Sequence, residues 1–555
     1  MGMMRSSSRV GIFSCLVALL AAIAHGGAKA EGWQKAPPLP TDMRDLLSSI
    51  SEDSNLYRLY RLYRENRDGL QKAAGRITLD QAIAMGVSSS PLLAGNVDEI
   101  QASQWSRIAI TREWIPSLSV KTSDPGVLGY STTTSSLKTK TDGNEPSETL
   151  TFKHGFSSTP YGSLSWAFLD PSRGARLNVL TAQNHSLRNK FTFTSRELIL
   201  AIQTAYCTLQ EALEREKDNI ELFNQAIHIY VKASKAQKPA GEVSRFEAQA
   251  VSLLIARIKA HKVSIQAANS LASLINLEPG KLALPSSAPE LVSPWPLSRA
   301  QSIELALEQR EELQANAWDV KALMSAAQAI RNKALPSVSL ASQLKRISAN
   351  QQTGNLNGNV SGQLSRNSGY ESFFGFTFDW KIFDGGIRSA ESNAIKAKAE
   401  QSMEQGQLSR LTITRQVEDA YATFVASKIL VDAARSDVAA SRQSLQAALN
   451  EYNMGRGDAG TTVVQALSKL QSALESYRTL VTEQNLAIYQ LNRYSATWPA
   501  QTQSLVDSQY QRWLPTALAS PTPASPTPAG PSPATTRLPK AEERAPGRQA
   551  LPPGS

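Results

Sequence analysis

Cysteine is nearly missing from this chain, with only Cys15 and Cys207 among 555 residues. Cys15 falls in an N-terminal stretch that reads as an export signal: Arg5 and Arg9, an apolar run from Ile12 to Ile23, then Ala28-Lys29-Ala30 before Glu31. It stands at the start of the apolar run, whereas a lipid-bearing cysteine would have to follow that run, so lipid attachment is not expected there. The chain from Glu31 onward keeps Cys207 alone. That excludes an intrachain disulfide and a thiol-based metal centre. Its apolar, helical neighbours make it a small packed side chain rather than a reactive thiol. Histidine is scarce too, five in all with His25 in the signal, and no zinc-like spacing occurs. Beyond the signal no run of about 18 apolar residues exists, so no transmembrane helix is expected. If the chain crosses a membrane, it must do so with strands. Aromatic residues make up 7 % of the chain, which is thin for a large compact core. No phosphate-binding loop, nucleophile elbow or paired carboxylates are found, so neither catalysis nor a cofactor is expected.

The formal net charge is +10, from 58 basic and 48 acidic residues. Three of the positives, Arg5, Arg9 and Lys29, lie in the signal, and the rest are interspersed with acids. Such mixing describes solvated helix faces, with no dense basic run to bind nucleic acid.

What the chain does contain, it contains twice. Ile115-Pro116-Ser117-Leu118-Ser119 returns as Leu335-Pro336-Ser337-Val338-Ser339, 220 residues later. At the same offset Ile83 matches Ile303, Leu93 matches Leu313, Asn96 matches Asn316 and Ala102 matches Ala322. A period this long is a domain-sized duplication, not a solenoid repeat. Each copy holds a strand with period-two alternation. Over residues 373–383, Phe374, Phe376, Phe378, Trp380 and Ile382 share one face, with Gly375, Thr377, Asp379 and Lys381 on the other. In the first copy Leu164, Trp166 and Phe168 alternate with Ser163, Ser165 and Ala167. About ten residues of such alternation suit a lipid-facing barrel strand. Each strand is preceded by a partner, roughly Ser117–Thr133 and Ser337–Ile347, and by a polar loop such as Asn350–Gly369.

Long helices follow the strands. From Gly386 to Tyr452 there is no proline, and Val417, Phe424, Val431, Val438, Leu445 and Tyr452 recur every seven residues. Ala420, Ser427, Ala434, Ser441 and Ala448 alternate with them, which predicts a knobs-into-holes seam with close helix approach. After a glycine-rich turn at 455–460, a second seam runs through Leu467, Leu470, Leu474, Tyr477, Val481, Ile488 and Leu491, interrupted by Gln484. Copy one repeats the plan, with a helix from about Ala175 to Gln237, a break at Lys238-Pro239-Ala240-Gly241 and a return to about Leu277.

From about Ile77 to Ala496 the chain resembles the TolC family of outer-membrane efflux proteins. The resemblance rests on the helix entry Ile77-Thr78-Leu79-Asp80-Gln81-Ala82-Ile83 and on the helix-to-strand junctions at Pro116 and Pro336. It rests most on the strand-to-helix junction Trp380-Lys381-Ile382-Phe383-Asp384-Gly385-Gly386. In the first copy that junction ends Asp170-Pro171-Ser172, without the two glycines. The strands alone require other subunits, because four strands cannot close a barrel and an open edge in lipid leaves backbone groups unpaired. Two or three copies would both give an even strand number. The resemblance implies three.

The implied fold is a membrane α+β architecture with internal duplication: four strands per chain in a trimeric 12-stranded β-barrel, continuous with a long α-helical coiled-coil periplasmic tube. The implied activity is a passive exit duct for efflux or type I secretion, in the outer membrane with a large periplasmic part. Its implied partners are a periplasmic adaptor (membrane fusion) protein, an inner-membrane pump or ABC exporter, and outer-membrane lipid. Family members often carry aspartates just after the tip turn. Here those positions read Thr462 and Gln465 in copy two, and Glu247, beside Arg245, in copy one. With Asp458 in the turn, these residues form the candidate constriction.

The expected domains are a signal at 1–30, an N-terminal extension at 31–76, the two repeats at 77–280 and 299–496 with a linker at 281–298, an equatorial segment at 497–519, and a disordered proline-rich tail at 520–555. In the extension, Leu56-Tyr57-Arg58-Leu59-Tyr60-Arg61-Leu62-Tyr63 predicts a helix lying on the equator of the tube. A structural or adhesive coiled-coil protein and a soluble basic helical protein are the competing readings. The first has no need of amphipathic strand pairs, and the second has no need of a signal.

Overall fold

The computed structural model describes residues 55–67, 73–122, 129–139, 147–355, 363–455, 459–499 and 502–514. The signal and the proline-rich tail lie outside the described residues. In chain order the elements are α1 (Asn55–Arg67), β1 (Ala73–Ile77), α2 (Leu79–Ser89), α3 (Pro91–Arg112), β2 (Ser117–Thr122), β3 (Gly129–Thr139), β4 (Ser147–Ser158), β5 (Pro160–Leu169), α4 (Ser172–Lys235) and α5 (Ala240–Leu274). They continue as β6 (Lys281–Pro285), α6 (Arg299–Gln309), α7 (Glu311–Asn332), β7 (Ser337–Asn355), β8 (Gln363–Asp379), α8 (Ile387–Asn453), α9 (Ala459–Tyr494) and α10 (Thr502–Trp513).

The two halves share an element order, and several boundaries fall 220 residues apart. α2 and α6 each begin with a capping box: the Thr78 and Ser298 hydroxyls accept from the N–H groups of Gln81 and Gln301, whose side chains reach back to the cap. α3 and α7 both span 22 residues and stop just before Pro116 and Pro336. Proline forces the residue before it into extended geometry, so the helix ends and the strand begins. The offset then shrinks to 214 between Asp170 and Asp384, because the stretch from Ser117 to Asp170 is six residues longer than that from Ser337 to Asp384.

The strands form one antiparallel sheet in which β4 and β5 act as a single line. Both pair with β7 in one continuous register, Ser158 opposite Ser348 and Tyr161 opposite Lys345. β2 pairs with β5, β3 with β4, and β8 with β7. The outer lines are therefore β2–β3 on one side and β8 on the other. β7 runs to Asn355 and β8 starts at Gln363, so most of the polar stretch expected as a loop is strand. A ladder satisfies backbone groups whatever the side-chain polarity, and composition concealed this. At the other end β8 stops at Asp379, leaving Trp380 and Ile382 outside it.

α8 spans 67 residues, about 100 Å at 1.5 Å per residue. Its seam is as the heptads require: Val417, Ala420, Phe424, Ser427, Val431, Ala434, Ser441, Leu445, Ala448 and Tyr452 are buried, and Val438 is partly so. α9 packs along it through Leu467, Leu470, Leu474, Val481, Ile488 and Leu491. Gln484 is buried in that seam as well. The α4–α5 hairpin repeats the arrangement and shares a core with α8–α9 through Phe223, Ile227, Phe246, Leu253 and Val463.

The expected linker opens with a strand: β6 pairs in parallel with β1, Ala73 opposite Lys281 through Ile77 opposite Pro285. Tyr206 of α4 donates to the Ile77 carbonyl (3.1 Å) and fixes this pair to the hairpin. α1 is the expected helix, and it sits further along the hairpin than that strand pair. Leu56 and Tyr60 are buried, Tyr60 stacks on Phe223 (5.8 Å), and the fully buried Arg257 lies 5.7 Å from the Tyr60 ring. Phe223 is 17 residues, roughly 25 Å, beyond Tyr206 toward the α4–α5 turn. α10 packs on α2 and α3, where Gln509 donates to the Ser88 carbonyl and Gln101 to that of Trp513.

Candidate channel wall and constriction

Register assigns every strand residue to one of two faces. On the first, Leu118 lies opposite Leu164, Trp166 opposite Leu340, and Leu340 opposite Phe376, with Val338 opposite Phe378. Phe374 and Phe376 are 71 % and 69 % exposed in the single chain, and the Phe168 ring sits 6.1 Å from Phe376. Phe168 falls where the β5 ladder shifts register between Trp166 and Leu169. Trp380, expected as a strand residue, instead donates its indole N–H to the Ala334 carbonyl (3.1 Å). Trp166 does the same toward the Trp114 carbonyl (2.9 Å). Exposed Trp114, Ile115, Leu335, Ile382 and Phe383 extend the apolar band below the strands. Tyr130 and Phe156 (5.2 Å) and the Arg346–Tyr370 pair lie above it. Aromatic girdles bordering an apolar band mark the two interfaces of a bilayer.

The second face is polar. Ser117 and Ser165 share a hydrogen bond (2.7 Å), as do Ser119 and Ser163 (2.8 Å) and Ser339 and Thr377 (2.6 Å). Lys345 faces Glu371 at 3.6 Å.

The strand-to-helix junctions converge on one device despite their different sequences. Asp170 accepts from the Ser172 N–H (2.9 Å) and hydroxyl (2.7 Å) and pairs with Arg176 (2.8 Å), which also holds Glu113. Asp384 accepts from the N–H groups of Gly386 (3.0 Å) and Arg388 (3.2 Å). Gly385 and Gly386, with φ of 69° and 84°, make a turn that side chains strain against, whereas Pro171 and Ser172 reach the same cap with ordinary backbone. Burial pushes the Asp170 carboxyl up, but the Ser172 hydrogen bonds and the Arg176 charge more than reverse it, leaving it lowered. The Arg388 N–H, followed by the Gly386 N–H and the Arg388 charge, holds Asp384 low as well. A carboxyl lowered by folding stabilises the fold above its ordinary range near pH 4 and loses that contribution as pH falls through the lowered value. Asp170→Ala should therefore cost about 1 kcal/mol at neutral pH. The difference from the parent should shrink as pH falls below about 4, as read by thermal melting followed by circular dichroism.

At the other end of the helices, the tips of the two hairpins meet. Arg245, expected in the constriction, donates to the Thr461 hydroxyl (2.5 Å), and Lys232 donates to the Asn453 side chain (2.6 Å). Glu247 is half-buried on α5, and Thr462 and Gln465 are exposed on α9. Asp458 lies outside the described residues. Phe246 meets Tyr452 edge-on (5.4 Å), and burial together with the Glu242 carboxylate pushes the Tyr452 phenol up to about 12. Further along, Arg478 ties α9 to Asp218 (2.8 Å) and Glu214 (3.1 Å) of α4. Sequence reasoning missed Thr461, Asn453 and the Arg478 cluster, whose residues read there as solvated charges. Among the described residues no group of histidines, cysteines or carboxylates that could hold a metal occurs.

A two-faced antiparallel sheet capped onto long paired helices is the fold of solved outer-membrane channels. Residues 302–496 match the family described as outer membrane efflux protein. The fold is similar to that of the outer-membrane channel OprN, with a TM-score of 0.58 and 16 % identity over 76 % of this chain and 90 % of that one. It is also similar to the CmeC outer membrane channel of Campylobacter jejuni (0.58, 15 %, 79 % and 90 %) and to the open state of the MtrE channel of Neisseria gonorrhoeae (0.58, 15 %, 76 % and 89 %). No curated protein sequence matches the chain. These likenesses bear out the resemblance to the TolC family of outer-membrane efflux channels, whose members are passive channels and not enzymes.

Proposed function

We propose that the chain is one protomer of a trimeric exit duct. Four strands per protomer close a 12-stranded barrel in the outer membrane, and the helical hairpins form a periplasmic conduit. The observation that carries this reading is the sheet itself, apolar on one face, hydroxyl-lined on the other, with its outer lines β2–β3 and β8 unpaired on their outer sides among the described residues of the single chain. Such edges are tolerated in lipid only when another strand closes them. The helices support the same conclusion. Leu408, Leu411, Val425 and Ile429 form an exposed stripe on the back of α8, and Ile255, Ile258 and Val263 form one on α5. Neighbouring protomers bury both stripes in the assembled tube. The near-coincident halves support an origin by duplication, giving six similar units around one axis. Export by the signal at 1–30, engagement by a periplasmic adaptor and supply by an inner-membrane pump or ABC exporter complete the reading, for efflux or for type I secretion.

At the tip, Glu247 with Asp458 sets cation preference, opposed by Arg245, and each counts threefold at the axis. The purified protein should conduct in planar lipid bilayers, and Glu247→Gln with Asp458→Asn should lower its cation selectivity or change its conductance. A protein that incorporates as trimers yet carries no current would sink the duct reading. Unchanged conductance and selectivity in the double variant would remove these residues from the constriction.

A further inference from the structure

One rung of the polar face of the sheet carries three charged side chains. Register sets Lys121 opposite Tyr161, Tyr161 opposite Lys345, and Lys345 opposite Glu371, so these four side chains form a single row across all four strand lines. Lys345 meets Glu371 at 3.6 Å. Lys121 stands two strand spacings, roughly 10 Å, from Lys345 and faces an uncharged neighbour. Two lysines against one glutamate leave one uncompensated positive charge per protomer.

The surroundings do not cancel it. Toward the helices this face carries Ser117, Ser119, Ser163, Ser165, Gln343 and Thr377. The next acid, Asp379 opposite Ser337, is eight residues along β7, about 27 Å away. That is several times the Debye length of about 8 Å at physiological ionic strength. Arg346 and Arg366 have the opposite parity and belong to the other face.

We infer that Lys121, Lys345 and Glu371 form an anion-favouring ring in the barrel lumen, which fits the exit of this duct to organic anions rather than cations of equal size. The inference rests on the duct reading, which turns the polar face inward and repeats the row three times. Rings of one sign in a confined aqueous passage concentrate counter-charged solutes and repel like-charged ones. The hydroxyl lining adds hydrogen bonds without adding charge.

Thiol labelling at Ser163→Cys, one lumen-facing position from the row, tests the ring. Cys207 gives little background, because it is buried and its thiol is pushed up to about 12, and the thiolate is the reactive form. On intact cells, impermeant methanethiosulfonates bearing a sulfonate or a trimethylammonium group are compared, each normalised to a free thiol in solution. The sulfonate reagent should be favoured several-fold. That preference should drop at least threefold in Lys121→Gln/Lys345→Gln and rise in Glu371→Gln. A preference unaltered by the lysine substitutions overturns the ring while leaving the duct intact. A cysteine at 163 that reacts with neither reagent, in protein that reaches the membrane, removes the lumen assignment and the duct reading with it.

Discussion

Phe376→Arg should abolish accumulation of assembled protein in the outer membrane, while Thr377→Arg, one residue away, should be tolerated. Phe376 lies opposite Leu340 with its ring against Phe168, in the middle of the apolar face. An arginine near the midplane of a bilayer costs about 2–4 kcal/mol on a barrel surface, and a threefold assembly incurs that cost three times. Thr377 points the other way and shares a hydrogen bond with Ser339, so its replacement changes the lining without placing charge in hydrocarbon. The check is the amount of heat-modifiable oligomer in the outer-membrane fraction. Equal amounts of the two variants would mean that the apolar face does not meet lipid.

Arg196→Met should destabilise the helical part by about 3–5 kcal/mol, and Arg196→Met/Glu311→Met should recover most of that loss. Arg196 and Glu311 are both buried and approach to 2.8 Å. The pair is nonetheless poorly satisfied: Glu311 Oε2 and Arg196 Nη1 have no hydrogen-bond partner among the described residues. Burial outweighs the partner's charge on each side, pushing the Glu311 carboxyl up and the Arg196 guanidinium down. Removing the arginine leaves a buried carboxylate facing Arg493 only at longer range, whereas removing both charges eliminates the desolvation cost altogether. The single variant should also carry a pH signature. A carboxyl whose folded pKa is raised contributes stability below its unfolded value and loses it as pH rises through the folded value. The deficit should therefore be largest near pH 7 and shrink toward pH 4 in thermal melts. A double variant as unstable as the single would mean that the cation–π contact of Arg196 with Trp498, 4.3 Å away, matters more than the ion pair.

The helical seams were legible because their rule is local: a seven-residue period with alternating large and small side chains leads directly to the buried stripe from Val417 to Tyr452. The junctions were legible because proline and Asp-Gly-Gly restrict their own backbone. The upper part of the sheet was not, since Asn350 to Asn355 carry no alternation and owe their extended geometry to pairing with β4 and β8. Arg245 was assigned to a constriction by its place after a turn, yet its hydroxyl partner lies 216 residues away, on a helix whose register no local pattern predicts. The same limit applied to Arg196 and Glu311, 115 residues apart, which read as ordinary surface charges. The charged row of the sheet needed the register of three strand pairs before it existed at all.

The shift in offset from 220 to 214 has a consequence for what meets the outside world. β3 and β4 stay paired up to Thr139 and Ser147, four residues past the last rung that β4 shares with β7, which adds about 13 Å of ladder. In the trimer proposed above, that extra ladder recurs three times around the axis. Among the described residues, the four rungs from Ser136 opposite Leu150 to Thr139 opposite Ser147 are built by the first half of the chain alone. Both halves contribute two strand lines to the sheet, and among the described residues only the first carries pairing past Thr151.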